Sequence, residues 1–271
     1  MDYTSSLLLI LLGVLVGTFG TLIGAGGGFI LVPILLLLYP QSPPELITSI
    51  SLAVVFFNAL SGSVAYARMK RIDYKSAIIF AAATLPGAII GAIITSYIPR
   101  HIFDIILGVL LLVIAVFLLL RPEQGALARN HMNSGFTHRA ITDKTGETYQ
   151  YSFNPWTGII LSFFVGFLSS LLGIGGGIIH VPALTSLLNF PVHIATATSH
   201  FILAIMALAG TVVHIIQGNL KDGWLTALLI GGGVMAGAQV GAYLSHKVKG
   251  HFIVRALAIA LLLVGIRLLF F

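Results

Sequence analysis

Two runs of glycine hold the chemistry that this sequence can offer. Gly24-Ala25-Gly26-Gly27-Gly28 and Gly173-Ile174-Gly175-Gly176-Gly177 lie inside apolar stretches of otherwise helical character. A glycine costs about 1 kcal/mol relative to alanine in a helix interior, so four in five residues predict a break in each stretch. Backbone that leaves a helix inside a membrane must find partners in protein or in a wet cavity, because lipid offers none. Beyond each break the apolar piece is short. Phe29–Tyr39 and Ile178–Leu188 are 11 residues each, about 16 Å of helix or half a membrane, and Pro33 and Pro182 weaken them further. A half-helix that starts at mid-depth turns its free N–H groups and the positive end of its dipole toward whatever fills the space. Gly24, Gly26, Gly27 and Gly28 on one side, with Gly173, Gly175, Gly176 and Gly177 on the other, are thus candidates to hold a small anion without a basic side chain. The blander explanation is close helix packing, which suits Gly13-x-x-x-Gly17, Gly87-x-x-x-Gly91 and Gly237-x-x-x-Gly241. Packing asks for small residues four apart, not for a run of three plus one.

Other hydrogen-bonding groups fall near these breaks. The segments that follow open with Thr48-Ser49-Ile50-Ser51 and Thr196-Ala197-Thr198-Ser199-His200. Thr48, Ser51, Thr196 and Ser199 are candidate hydroxyl donors to an oxyanion, although a hydroxyl in a membrane helix commonly bonds its own preceding turn. Asn58 and Gln239 are the side-chain amides well inside apolar segments, and they join the list. His200, next to Ser199, is also a candidate for the substrate site; as titratable residues within segments, His200, His180 and His214 each read as a hydrogen-bonded core residue before a proton carrier. No Asp or Glu lies deep in any segment, which disfavours a carboxylate proton relay or a dedicated cation path. The sequence contains neither H-E-x-x-H nor G-x-S-G nor paired intramembrane aspartates, so an enzyme is not expected. No cofactor or metal is implied.

The elements that must position these groups follow from composition. Apolar residues make up 58% of the 271-residue chain and charged residues 8%, against about 25% charged in soluble domains. Most of the surface must therefore face lipid. The net charge of +6 fits the positive-inside bias of membrane proteins rather than nucleic-acid binding. Zero cysteines exclude a disulfide framework and a thiol nucleophile. Met1-Asp2-Tyr3 lacks the basic start of a signal peptide, so the first apolar stretch is expected to remain in the mature protein.

Apolar stretches span about 6–38, 46–67, 76–98, 102–120, 156–188, 194–217, 223–245 and 252–271. The expected fold is an all-α polytopic membrane protein of two homologous halves. Residues 1–120 form the first membrane repeat, 121–155 a polar cytoplasmic loop, and 156–271 the second repeat. Gly17–Leu38 and Gly166–Leu187 match at 11 of 22 positions with an offset of 149, including G-x-GGG and the following Val-Pro. Ser51 recurs as Ser199, Gly62 as Gly210, and the run from Pro86 to Ala92 as that from Ala236 to Ala242. Such repeats are a common transporter plan, with the binding site at mid-depth between halves. Two topologies fit. If each first segment crosses once, the halves are parallel; if it turns back at its glycines, they are inverted. Basic residues divide ten against four in the first case and eleven against three in the second, so charge does not choose.

G-x-GGG in both halves, Val32-Pro33 and Val181-Pro182, Thr48–Ser51, Ala197-Thr198-Ser199-His200, and the Pro86-Gly87-Ala88-x-x-Gly91-Ala92 pattern with its second copy resemble the TauE/SafE sulfite exporter family. The resemblance covers both hydrophobic halves and not the loop from Arg121 to Pro155. It implies transport of sulfite, sulfoacetate or another small organosulfur or carboxylate anion across the bacterial cytoplasmic (inner) membrane. Export is the expected direction, since an anion leaving a negative cytoplasm gains about 2.3 kcal/mol per charge per 100 mV. Uptake of a sulfonate or carboxylate, or an anion channel of the same architecture, is the alternative. Small-residue faces around Gly87 and Gly237 suit packing within one chain or in a homodimer.

Overall fold

The computed structural model describes residues 3–120, 136–245 and 250–270. Ten helices and one β-hairpin make up the fold of these residues. The helices are α1 (Tyr3–Ile23), α2 (Gly28–Leu38), α3 (Pro44–Arg68), α4 (Tyr74–Thr95), α5 (Arg100–Leu120), α6 (Pro155–Leu172), α7 (Gly177–Leu187), α8 (Val192–Ile216), α9 (Trp224–Leu244) and α10 (Gly250–Phe270). Seven are long and apolar enough to cross a membrane, while α2 and α7 are apolar but short. This is an all-α polytopic membrane protein. The helices after α2 and α7 begin about half a turn before the apolar runs do, because Pro43 and Pro191 occupy their N-caps, with Pro44 opening α3.

Close approach between helices fixes their directions. Gly17 of α1 lies on Val234 of α9, Gly237 on Val14 and Thr18, and Gly241 on Thr18 and Thr21. Numbers rise together, so α1 and α9 are parallel. The same holds for α4 and α6, where Gly166 lies on Thr84, Gly91 on Phe167 and Leu171, and Thr95 Oγ1 donates to Leu171 O at 2.9 Å. Likewise α3 runs with α9: Gly223 meets Ile50, Gly231 meets Phe57, and Ser61 Oγ donates to Met235 O at 2.8 Å. In contrast, Gly62 faces His200 and Gly210 faces Leu52, so α3 and α8 are antiparallel. Hence α1 and α3 share one sense and α6 and α8 the other. Between them α2 and α7 must turn back as re-entrant half-helices, and the two helix series are inverted. The hairpin arrangement of the first segments is the one adopted.

The two series interlace. The first helix of each packs on the fourth of the other, α1 on α9 and α6 on α4, while α3 meets α8 at the centre and α5 meets α10 outside. A Cβ at Gly13, Gly17, Gly87, Gly91, Gly166, Gly233 or Gly237 would strike backbone of the partner helix, so no larger residue permits these crossings. The faces around Gly87 and Gly237 are thereby filled within one chain.

The polar segment departs from the solvated loop read from the sequence. Residues 121–135, with Arg121, Glu123 and Arg129, lie outside the described residues. Beyond them β1 (Thr137–Thr142) and β2 (Thr148–Phe153) pair antiparallel, with Ala140 opposite Gln150. Tyr151 and Phe153 are buried against Phe190 and Phe80. Alternation of apolar and polar residues in Thr148–Phe153 is the signal that a charge-based reading passes over. Asp143 at the turn is buried and paired with Arg71 at 3.0 Å. Its carboxyl is held at about 2, first by the Thr145 hydroxyl and then by Arg71, against a raising effect of burial.

Candidate functional site: two glycine breaks in contact

The chain leaves α1 through a left-handed glycine. Gly24 has φ 83°, and Ala25 and Gly26 donate back to Gly20 O at 2.8 and 3.2 Å, which closes the helix end. Gly26 and Gly27 also have positive φ, 80° and 81°, where a Cβ costs about 1–2 kcal/mol. The second break uses two such residues, Gly173 and Gly175, both at 68°, while Gly176 is right-handed. The half-helices start at Gly28 and Gly177, one residue before the positions expected from the sequence. Among the described residues, their opening N–H groups, on Gly27, Gly28 and Phe29 and on Gly176, Gly177 and Ile178, have no backbone carbonyl partner.

An unbroken helix would bond Gly28 N to Gly24 O and Gly177 N to Gly173 O. Each of these carbonyls instead accepts from a hydroxyl of the opposite series: Ser199 Oγ to Gly24 O at 3.5 Å and Ser51 Oγ to Gly173 O at 2.6 Å. Ser51 and Ser199 thus hold the breaks open as helix ends. Each hydroxyl has a single hydrogen, and here it points at a carbonyl.

The two breaks touch. A Cβ at Gly28 would lie 2.6 Å from both Gly173 O and the Ile174 carbonyl carbon. One at Gly177 would strike Gly24 O and sit 2.7 Å from Ala25 Cα. Thr196 packs on Gly24 and Thr48 on Gly173, again across the series. Thr48 Oγ1 is buried without a partner.

Polar groups gather beside the first break. Asn58 Oδ1 accepts from Thr21 Oγ1 at 2.9 Å, and Thr21 Oγ1 lies 3.3 Å from His200 Nε2. Tyr66 donates its hydroxyl to Thr21 O at 2.8 Å and meets the His200 ring edge-on. Asn58 Nδ2 is buried and unpaired. Thr21 and Tyr66 escaped the sequence reading. Their signal was position alone, Thr21 one turn before the break and Tyr66 one turn past Gly62. The other histidines are also bonded, His180 Nε2 at 3.3 Å from Ser162 Oγ and His214 Nδ1 at 3.1 Å from Asn219 Nδ2. Gln239 Nε2 donates to Ser61 O and Oγ, both at 2.8 Å, and so braces α9 on α3.

Residues 9–268 match the family model described as sulfite exporter TauE/SafE. The chain belongs to the TauE/SafE family. Within it, the chain is 36% identical over 98% of its length, and 98% of the relative's, to the Probable membrane transporter protein YunE of Bacillus subtilis. It is 26% identical to the Probable membrane transporter protein YdhB of the same organism, over 97% of this chain and 98% of the relative. A Haemophilus influenzae Probable membrane transporter protein is 24% identical over 92% of this chain and 89% of the relative. No solved structure matches. This TauE/SafE protein is a multi-pass membrane transporter of the bacterial inner membrane rather than an enzyme.

Proposed function

We propose that this transporter exports small organosulfur or sulfite-like anions, with the substrate held at mid-membrane between α2 and α7. One observation carries the reading. Two half-helices present unpaired N–H groups at breaks that meet each other, and the carbonyls released there are occupied by Ser51 and Ser199. A helix N-terminus carries roughly +0.5 charge. Two ends together offset about one negative charge. The inverted helix series supports alternating access around such a site. Direct contact between the breaks supports a closed path, which favours a transporter over an open channel.

Orientation follows from the basic residues. Arg68, Lys70, Arg71, Lys75, Arg139 and Lys144 lie at the hairpin end, and Arg100, Lys221 and Arg267 at the other, so the hairpin faces the cytoplasm. Binding and efflux together test the proposal. Sulfite, sulfoacetate or acetate should raise the melting temperature of the purified protein, and preloaded vesicles should release the anion faster when the protein is present. No response to any of these anions removes the substrate class; accumulation against an imposed gradient reverses the direction.

A further inference from the structure

Resting on that reading, we propose that the anion binds end-on, its oxyanion head at the first break, where Asn58 Nδ2 is the side-chain donor that recognises it. The two breaks correspond residue by residue, and their linings differ. At the first, Gly20 packs directly on the break: a Cβ there would lie 2.5 Å from Gly27 N and 3.0 Å from Asn58 Nδ2. At the second, Ser169 stands in place of Gly20 and its side chain packs on Gly176. Met206 replaces Asn58, and Leu52 replaces His200. Two donors therefore converge at the first break, one a backbone N–H at a helix start and the other a fully buried amide nitrogen without a partner. A buried donor left unpaired is costly and rare in native proteins, and an anion oxygen satisfies it.

The neighbouring groups orient this amide. Thr21 gives its one hydroxyl hydrogen to Asn58 Oδ1, so Thr21 Oγ1 accepts from His200 Nε2. That order, His200 to Thr21 to Asn58, turns Nδ2 away from Thr21 and toward the break. Thr21 and His200 are positioning residues in this scheme. Leu52 and Met206, with the buried hydroxyls of Ser169 and Ser170 near them, mark the opposite pole, where no amide or imidazole stands and the rest of an organic anion would lie. The anion enters as α2 and α7 part.

The test is anion affinity of the purified full chain, read by thermal shift with acetate, sulfoacetate, sulfite and sulfate. Asn58→Met, which copies the second break, should weaken the anions that stabilise the wild type by about tenfold or more while the anion-free melting point is kept. Ser169→Ala should change affinity less than about threefold, Thr21→Val should weaken it by an intermediate factor, and Thr21→Ser should restore it. Should Asn58→Met fail to fold, Asn58→Asp serves, and its carboxylate should abolish the response. Wild-type stabilisation that survives Asn58→Met or Asn58→Asp unchanged overturns the end-on assignment and leaves the transport reading standing. So does an equal loss in Ser169→Ala, or an Asn58→Asp protein that is more stable without anion, since residue 58 would then merely cap α2. A wild type that responds to none of the four anions overturns both.

Discussion

At the first break Gly20 packs closely on Gly27 with Asn58 beside it, whereas at the second Ser169 packs on Gly176 and Met206 stands where Asn58 does. The scaffolds around these two places are otherwise alike. Each break ends a long helix and begins one of 11 residues, and each gives a carbonyl to a serine of the opposite series. Each also rests against the other's backbone. What is shared therefore belongs to building two helix ends inside a membrane, and what differs belongs to the ligand. A symmetric frame with an asymmetric lining has one preferred orientation for an asymmetric guest.

The largest effects should come from the shared part. Leucine at Gly28 or Gly177 cannot be placed against the facing backbone, so neither variant should accumulate as folded protein. Alanine at either position should cost about 1–3 kcal/mol, read as a lower melting temperature in detergent. Tolerance of alanine at one position only would break the equivalence of the two breaks. Gly27 and Gly176 sharpen it differently. Gly27 has φ 81° and Gly176 has φ −53°, so Gly27→Ala carries an added backbone penalty of about 1–2 kcal/mol. Equal losses for the two alanine variants would mean that side-chain crowding, by Val16 on Gly27 and Val165 on Gly176, outweighs backbone strain.

The serine pair comes next. Ser51 bonds Gly173 O at 2.6 Å and Ser199 reaches Gly24 O at 3.5 Å, the outer limit of a hydrogen bond. Ser51→Ala should therefore destabilise by about 1–3 kcal/mol, because it leaves a buried carbonyl unsatisfied, and Ser199→Ala by less than about 1 kcal/mol. Chemical denaturation of the two variants side by side measures the difference. A larger loss at Ser199 would place the stronger brace on the first break instead.

The breaks themselves were legible because four glycines in five residues override the helical propensity of their neighbours, and helix starts fell within two or so residues of the apolar runs. The pairing of serines with carbonyls was not legible, since it depends on which series faces which, and the sequence permitted parallel or inverted halves. The close approaches between helices, Gly62 on His200 with Gly210 on Leu52, and Gly17 on Val234 with Gly237 on Val14, decide that. Asn58 stood out as a buried amide, but its orientation depends on Thr21, which carries no signal of its own. Gln239 resembles Asn58 by type and depth, and its bonds to Ser61 across α9 and α3 carried no sequence signal. The hairpin was hidden by its charges: Arg139 and Asp143 read as solvated, yet they reach Asp73 and Arg71 across a gap in sequence that no local pattern spans.

The smallest effect separates the far ends of the two half-helices. The chain after α2 is held by Arg100, whose Nη1 donates to Ser42 O at 2.7 Å. Beyond α7 lies the hairpin instead, with Phe190 against Tyr151 and Asn189 Nδ2 donating to Ser152 O at 3.3 Å. Acid should loosen one end and spare the other. Asp143 is lowered from 3.8 to about 2 in the folded hairpin, so its contribution is fully present above 3.8 and is lost as pH falls through about 2. Pepsin cleavage between Thr137 and Phe153 should accelerate across that window, while the segment from Tyr39 to Pro44 stays protected. Asp143→Asn should cleave faster at the upper end of the window and lose most of the pH dependence. Cleavage that starts at both ends together would show that acid opens the whole membrane bundle, and that the two half-helices are not anchored independently.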